Sequence, residues 1–239
     1  SFAMPYERYR RDLQREGFQH DPAQERAVRY LQTIYDQLVA RPEPAASKKP
    51  GLFSRLVGRD KPTVAGQPTV RGLYLWGGVG RGKTYLVDTF FDALPLERKQ
   101  RIHFHSFMRA VHAELKQLQS QQDPLRVVAR RFAEKARVIC LDEFFVSDIT
   151  DAMLLYGLLK ELFARGVTLI TTSNIEPDGL YKDGLQRARF LPAIDLLKQH
   201  VDVLNVDGGV DYRLRTLEKA EIYHSPLDER AEQILNDVF

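Results

Sequence analysis

Cysteine is nearly absent from this chain. Cys140 is the only one among 239 residues, so no internal disulfide can form and a reducing compartment is expected. Long apolar runs are missing too. The densest, Ala152 to Leu159, includes Tyr156 and Gly157 and falls far short of the roughly 18 residues that a membrane-spanning helix needs, so no bilayer span is expected. The N-terminus lacks the charged, apolar and small-residue order of a signal peptide, which makes the cytoplasm the expected location. A large excess of one charge is also lacking: 35 basic side chains against 32 acidic ones leave +3, and no nucleic-acid partner is expected from that balance. What is present is ordinary: 44% apolar and 28% charged residues exclude a fibrous or wholly disordered protein. At about 150 residues per domain, the length allows one to two domains.

The basicity that exists is local. Between Arg41 and Lys61 six Lys or Arg face two acids, a local +4. The surrounding stretch, 41–70, holds five prolines and no sustained period, and reads as a flexible basic insertion. Before it, residues 1–40 read as a helical segment. Tyr6, Tyr9 and Leu13 recur at helical spacing, Gly17 interrupts, and Asp21-Pro22 starts a second helix carrying Ala27, Val28, Leu31, Ile34, Tyr35 and Leu38. From residue 71 strands alternate with helices. Strands are expected at Leu73 to Trp76, Arg101 to Phe107, Val138 to Leu141, Val167 to Thr172 and Val201 to Val206. Helices are expected at Lys83 to Leu94, Phe107 to Gln119, Pro124 to Lys135, Thr150 to Arg165 and Leu191 to Gln199. That alternation predicts an α/β fold with a five-stranded parallel sheet and helices on its faces, whose ligands bind at the carboxyl ends of the strands.

The strongest motif is Gly77-Gly78-Val79-Gly80-Arg81-Gly82-Lys83-Thr84, which matches the phosphate-loop pattern G-x-x-x-x-G-K-[ST] between an apolar strand and an apolar helix. Its glycines let successive backbone N–H groups curl around phosphates, Lys83 supplies a point charge, and the Thr84 hydroxyl can ligate Mg²⁺. Val138 to Leu141 then ends in Asp142 and Glu143. A buried strand that stops at two carboxylates offers one, Asp142, to a metal and the other, Glu143, to the attacking water. Leu169 to Ser173 ends in Asn174. If that strand lies between the other two, Asn174 emerges beside the γ-phosphate and orients the water. Arg187 and Arg189 precede an apolar helix, and either guanidinium could stabilise the charge of phosphoryl transfer on a neighbouring subunit's nucleotide. His103 and His105 read as sharing one face of a strand, with His112 a helix later, but no zinc site is expected without a second ligand pair. Cys140 reads as core, and the charged run Asp211 to Arg215 as structural pairing.

Taken in order, GGVGRGKT, HFHSFM, VICLDEFFVSDITDAM, TTSN, LYKDGLQRARFLPAI and VDYRLR resemble the AFG-one-like ATPases from about residue 5 to 239. The resemblance implies a P-loop NTPase of the AAA+ type: a three-layer sandwich with ATP and Mg²⁺ as cofactors, an AAA+ core over 71–223, and the start of a C-terminal helical lid over 224–239. On this likeness Lys83 and Thr84 fall on the phosphate-loop pair, Asp142 and Glu143 on the metal-binding and catalytic acids, and Asn174 on the first nucleotide sensor. Either Arg187 or Arg189 falls on the arginine finger. The family continues beyond the position of Phe239, so the lid is expected to be truncated here. The implied function is ATP hydrolysis coupled to remodelling of a protein partner, with FtsZ polymers of the bacterial division ring as that partner and homo-oligomers forming through the trans arginine. Two alternatives remain open: a nucleotide-gated scaffold with little hydrolysis, and a helicase-loader-like protein acting on nucleic acid through the basic insertion.

Overall fold

The computed structural model describes residues 4–15, 21–41, 69–78 and 82–207. The 41–70 insertion lies almost wholly outside these residues. So do the loop residues Val79, Gly80 and Arg81, the Asp211 to Arg215 run and the expected lid start.

Two helices come first, α1 (Pro5–Asp12) and α2 (Pro22–Val39). The Asp21 carboxylate accepts the Ala23 N–H at 2.9 Å and Pro22 opens the helix, so one of the orphan donors of the first turn is satisfied. The sheet follows: β1 (Gly72–Trp76), α3 (Gly82–Ala93), β2 (Lys99–His103), α4 (Phe104–Gln117), α5 (Pro124–Lys135), β3 (Val138–Asp142), α6 (Ile149–Ala164), β4 (Thr168–Ser173), α7 (Arg187–His200) and β5 (Val201–Asn205). All four strand pairings are parallel, and the order is β2-β3-β4-β1-β5. β4 therefore separates β1 from β3, the arrangement on which the role of Asn174 depended.

Alternation along the strands divides the core in two. Leu73, Leu75, Val138, Cys140 and Ile170 face one side and pack with α1, α2 and α3 through Tyr9, Leu31, Leu38, Leu86 and Phe90. Tyr74, Ile139, Leu141 and Leu169 face the other and pack with α4 to α7 through Phe107, Val128, Leu155 and Ile194. Both faces are covered, as parallel sheets require, giving three layers. Among the described residues no helix is long and apolar enough to cross a membrane.

Two expectations need correction. The second strand does not run from Arg101 to Phe107: it spans Lys99–His103, and α4 begins at Phe104. Phe104, Phe107, Met108 and Val111 are buried at spacings of three and four, which is a helical face. His103 and His105 consequently share no strand face. His103 ends β2 and caps α4, accepting the His105 N–H at 3.3 Å, while His105 lies in the first helical turn beside Arg109. The second concerns the arginines, which stand inside the first turn of α7 rather than ahead of it.

Candidate nucleotide site

β1, β3, β4 and β5 all end on the same side of the sheet, and the side chains singled out by sequence gather there. Gly77 and Gly78 leave β1 with φ of +80° and +67°, a conformation that favours glycine. From the first turn of α3 the Lys83 ammonium reaches back. It donates to the Gly77 carbonyl, to the Gly78 carbonyl at 2.9 Å and to Asn174 Oδ1 at 3.3 Å. Lys83 is buried, and desolvation pulls its pKa below the ordinary lysine value against the opposing charges of Asp207 and Glu143. Its hydrogen-bond partners are neutral oxygens, so a buried cation stands here with no anion bonded to it among the described residues. That is the electrostatic requirement of a phosphate site, and the group fits.

β4 holds the end of β3 through its hydroxyls. Thr171 Oγ1 donates to the Leu141 carbonyl at 2.7 Å, and Ser173 Oγ donates to the Phe144 carbonyl at 2.7 Å. The Glu143 N–H donates to Thr172 Oγ1 at 3.0 Å. These bonds fix a sharp turn in which Glu143 itself adopts φ of +56°, a left-handed conformation costly for a side chain of this kind.

Both acids already have partners, supplied by β2. Arg101 Nε donates to Asp142 Oδ2 at 2.8 Å and Nη2 to Oδ1 at 3.3 Å, while Nη1 pairs with Asp88 of α3. Burial would lower the Arg101 pKa, but the hydrogen bonds and charges of these two aspartates outweigh it and hold the guanidinium above its ordinary range. His103 Nε2 lies 2.7 Å from Glu143 Oε2. Register explains both contacts, because His103 pairs with Asp142 across the β2–β3 ladder and Arg101 with Cys140. Thr84 and Asp142 offer the hard oxygen donors that Mg²⁺ prefers, so the residues present suit that ion as well.

Arg187 and Arg189 part company. The Arg187 guanidinium ties down the loop before its own helix, donating to the Tyr181 carbonyl at 3.2 Å, Asp178 at 2.6 Å and Leu180 at 3.2 Å. Arg189 is exposed, and its side chain has no hydrogen-bond or ion-pair partner among the described residues.

Sequence reasoning missed Arg101, His103, Asn205 and Asp207 as members of this site. The first two become visible only when β2 is known to lie beside β3. The last two need β5 beside β1, where a Cβ on Gly77 would stand 2.6 Å from both Asn205 Oδ1 and Asp207 Oδ2.

Comparison with known proteins agrees with this geometry. The AFG1-like ATPase family model matches residues 3–239. The chain is similar to the cell division protein ZapE of Escherichia coli K12, with 57% identity over 228 residues, 94% of this chain and 60% of that protein. It is also similar to lactation elevated protein 1 homolog B of Danio rerio, with 40% identity over 181 residues, 71% of this chain and 36% of that protein. This chain thus spans less than two thirds of the length of either. Among solved structures it resembles that of DnaI, with TM-score 0.50 and 17% identity over 82% of this chain and 93% of that one. A DNA replication initiation factor matches with TM-score 0.50 and 13% identity, over 92% and 58%. At such identities the likeness speaks to the fold alone, a P-loop α/β architecture of the AAA+ type. With its phosphate loop, its paired acids and a family match across nearly its whole length, the chain belongs to the AFG1-like ATPases.

Proposed function

We propose that this chain is a Mg²⁺-dependent ATPase that couples ATP binding and hydrolysis to remodelling of a protein partner. The observation that carries the reading is the convergence of Lys83, Glu143 and Asn174 where β1, β3 and β4 end. Gly77, Gly78, Val79, Gly80, Arg81 and Gly82 wrap the phosphates, and Lys83 draws in the charge of the β and γ groups. Asn174 orients a water, and Glu143 takes its proton as it attacks the γ-phosphorus, breaking the bond to the β–γ bridging oxygen so that ADP leaves. Thr84 and Asp142 would hold Mg²⁺, which would supply a hard divalent charge to offset the negative charge of the phosphates.

The similarity to a cell division protein supports FtsZ polymers of the division ring as the partner, with action in the cytoplasm at the division site. Arg189 supplies the arginine finger to a neighbouring copy, because its side chain is exposed and without a partner among the described residues while that of Arg187 is tied to its own loop. The working core is 71–223, preceded by the helical segment 1–40 and the insertion 41–70, with lid residues from 224 on.

The test is phosphate release from ATP and Mg²⁺ across a protein concentration series, with Glu143→Gln as the blank. Wild type is expected to turn over with specific activity that rises with concentration, and Glu143→Gln to bind ATP without releasing phosphate. Lys83→Ala is expected to lose binding itself. Equal turnover by wild type and Glu143→Gln would remove Glu143 from the mechanism. A second reading, the nucleotide-gated scaffold, is favoured by the partners of the acids: Glu143 is engaged by His103 and Asp142 by Arg101. Tight ATP binding with no turnover at any concentration, and unchanged partner recruitment in Glu143→Gln, would select it.

A further inference from the structure

The phosphate loop has an anion of its own lying against it. After β5 the chain turns, and the Asp207 N–H donates to Asn205 Oδ1 at 2.8 Å. That turn lays the Asp207 carboxylate along the first two loop residues. A Cβ on Gly77 would stand 2.6 Å from Asp207 Oδ2, and one on Gly78 would stand 3.5 Å from Oδ1. These are the residues whose carbonyls hold the Lys83 ammonium. The carboxylate has no hydrogen-bond or ion-pair partner among the described residues, although it is partly buried. Its charge nonetheless reaches Lys83, where it is the largest influence opposing desolvation. Among the described residues this half-buried carboxylate has no cation of its own, which is costly, and local rules are broken in this way mostly where function gains from it.

We infer that Asp207 is a built-in rival of the nucleotide phosphates, an anion that shares the field of Lys83 and weakens binding in proportion to the negative charge of the phosphate chain. The inference rests on the nucleotide reading of the site and goes beyond it, because it names a residue that sets affinity and discriminates among nucleotides by phosphate charge. Two like charges facing one ammonium repel, and the repulsion grows from nucleoside to diphosphate to triphosphate. Asp207 thereby restrains the affinity that the loop and Lys83 would otherwise reach, most of all for the triphosphate.

The experiment is a fluorescence titration with N-methylanthraniloyl ATP, ADP and adenosine on the wild-type chain, Asp207→Asn, Asp207→Ser and Lys83→Ala. Asn keeps the shape of Asp, and the turn uses the backbone N–H of residue 207, so the fold is retained; melting curves verify this, and the Ser variant gives an independent removal of charge. Both charge-removing variants are expected to bind the triphosphate about tenfold more tightly, a gain of about 1.4 kcal/mol. The diphosphate should gain less and the nucleoside nothing. The gain should shrink as salt is raised from about 50 mM to about 500 mM, as a charge effect must. Unchanged or weaker triphosphate binding in both variants, with wild type binding normally, overturns the inference. So does an equal gain for all three ligands, which would mark a steric effect. If wild type and Lys83→Ala alike bind none of the ligands, it is the nucleotide reading that fails, and the inference with it.

Discussion

Cys140 pairs across the ladder with Arg101, a member of the charge cluster, yet takes no part in that cluster. It is fully buried in the layer beneath α1, α2 and α3, and burial pushes its thiol up to about 12, with Arg101 pulling weakly the other way. Since the thiolate is the reactive form, native protein at pH 8 should resist iodoacetamide for hours and become labelled only on unfolding, as intact mass would record. Rapid labelling of the native chain would contradict the burial. Thr172 shows the opposite case, a modest side chain with a functional reach. Its hydroxyl accepts the Glu143 N–H and so fixes a turn that glutamate does not otherwise favour. Thr172→Val should slow phosphate release by about tenfold or more while leaving ATP affinity within about twofold, because small misplacement of a catalytic group costs rate rather than binding. Thr172→Ser should restore most of the rate. Asp142 and Glu143 were legible in the sequence because they end an apolar run, Asn174 because it closes a buried strand that turns polar, and Lys83 because it completes the glycine-rich phosphate-loop pattern. Arg101 and His103 were not, because nothing in the spacing says which strand lies next to β2.

Elements were legible where one period dominates. β1 and β3 are short apolar runs, β4 is a buried run that ends in small polar residues, and α5 was read with the boundaries it has. β2 was misread because its own residues, Lys99 to His103, are mostly polar, while the aromatics after them look like a strand until their spacing of three and four is counted. The interior of the sheet also leaves its mark on the element that starts the site. At Gly72 a Cβ would run into the backbone carbonyl of Leu169 on the adjacent β4, a neighbour that cannot yield as a flexible side chain could. Gly72→Ala should therefore destabilise the protein by on the order of 3 kcal/mol, read as a lowered urea midpoint at constant slope. A loss below about 0.5 kcal/mol would mean that the two strands can part there without cost.

Across the whole molecule the two arginines of α7 separate stability from cooperation between copies. Arg187 bonds three carbonyls of the preceding loop, so Arg187→Ala should lower the melting temperature and the activity together at every protein concentration. Among the described residues the Arg189 side chain has no partner to lose. Arg189→Ala should melt as wild type does yet lose roughly 10³-fold in turnover at concentrations where wild-type specific activity has reached its plateau. Full activity in Arg189→Ala would return the finger to Arg187 or exclude both.

The strand order carries one more consequence, and it concerns how the molecule is made. β1 is synthesised well before its neighbours on both sides: Leu73 pairs with Ile170, and Trp76 with Asn205 about 130 residues further on. At roughly 5 to 20 residues per second, a ribosome leaves β1 without either neighbour for about five seconds or more. During that time a flat apolar strand with two open edges waits for its partners, and long-range parallel pairing of this kind is slow and prone to aggregation. The nascent chain of this nucleotide-binding protein is thus a natural client for chaperones before it can bind any nucleotide of its own.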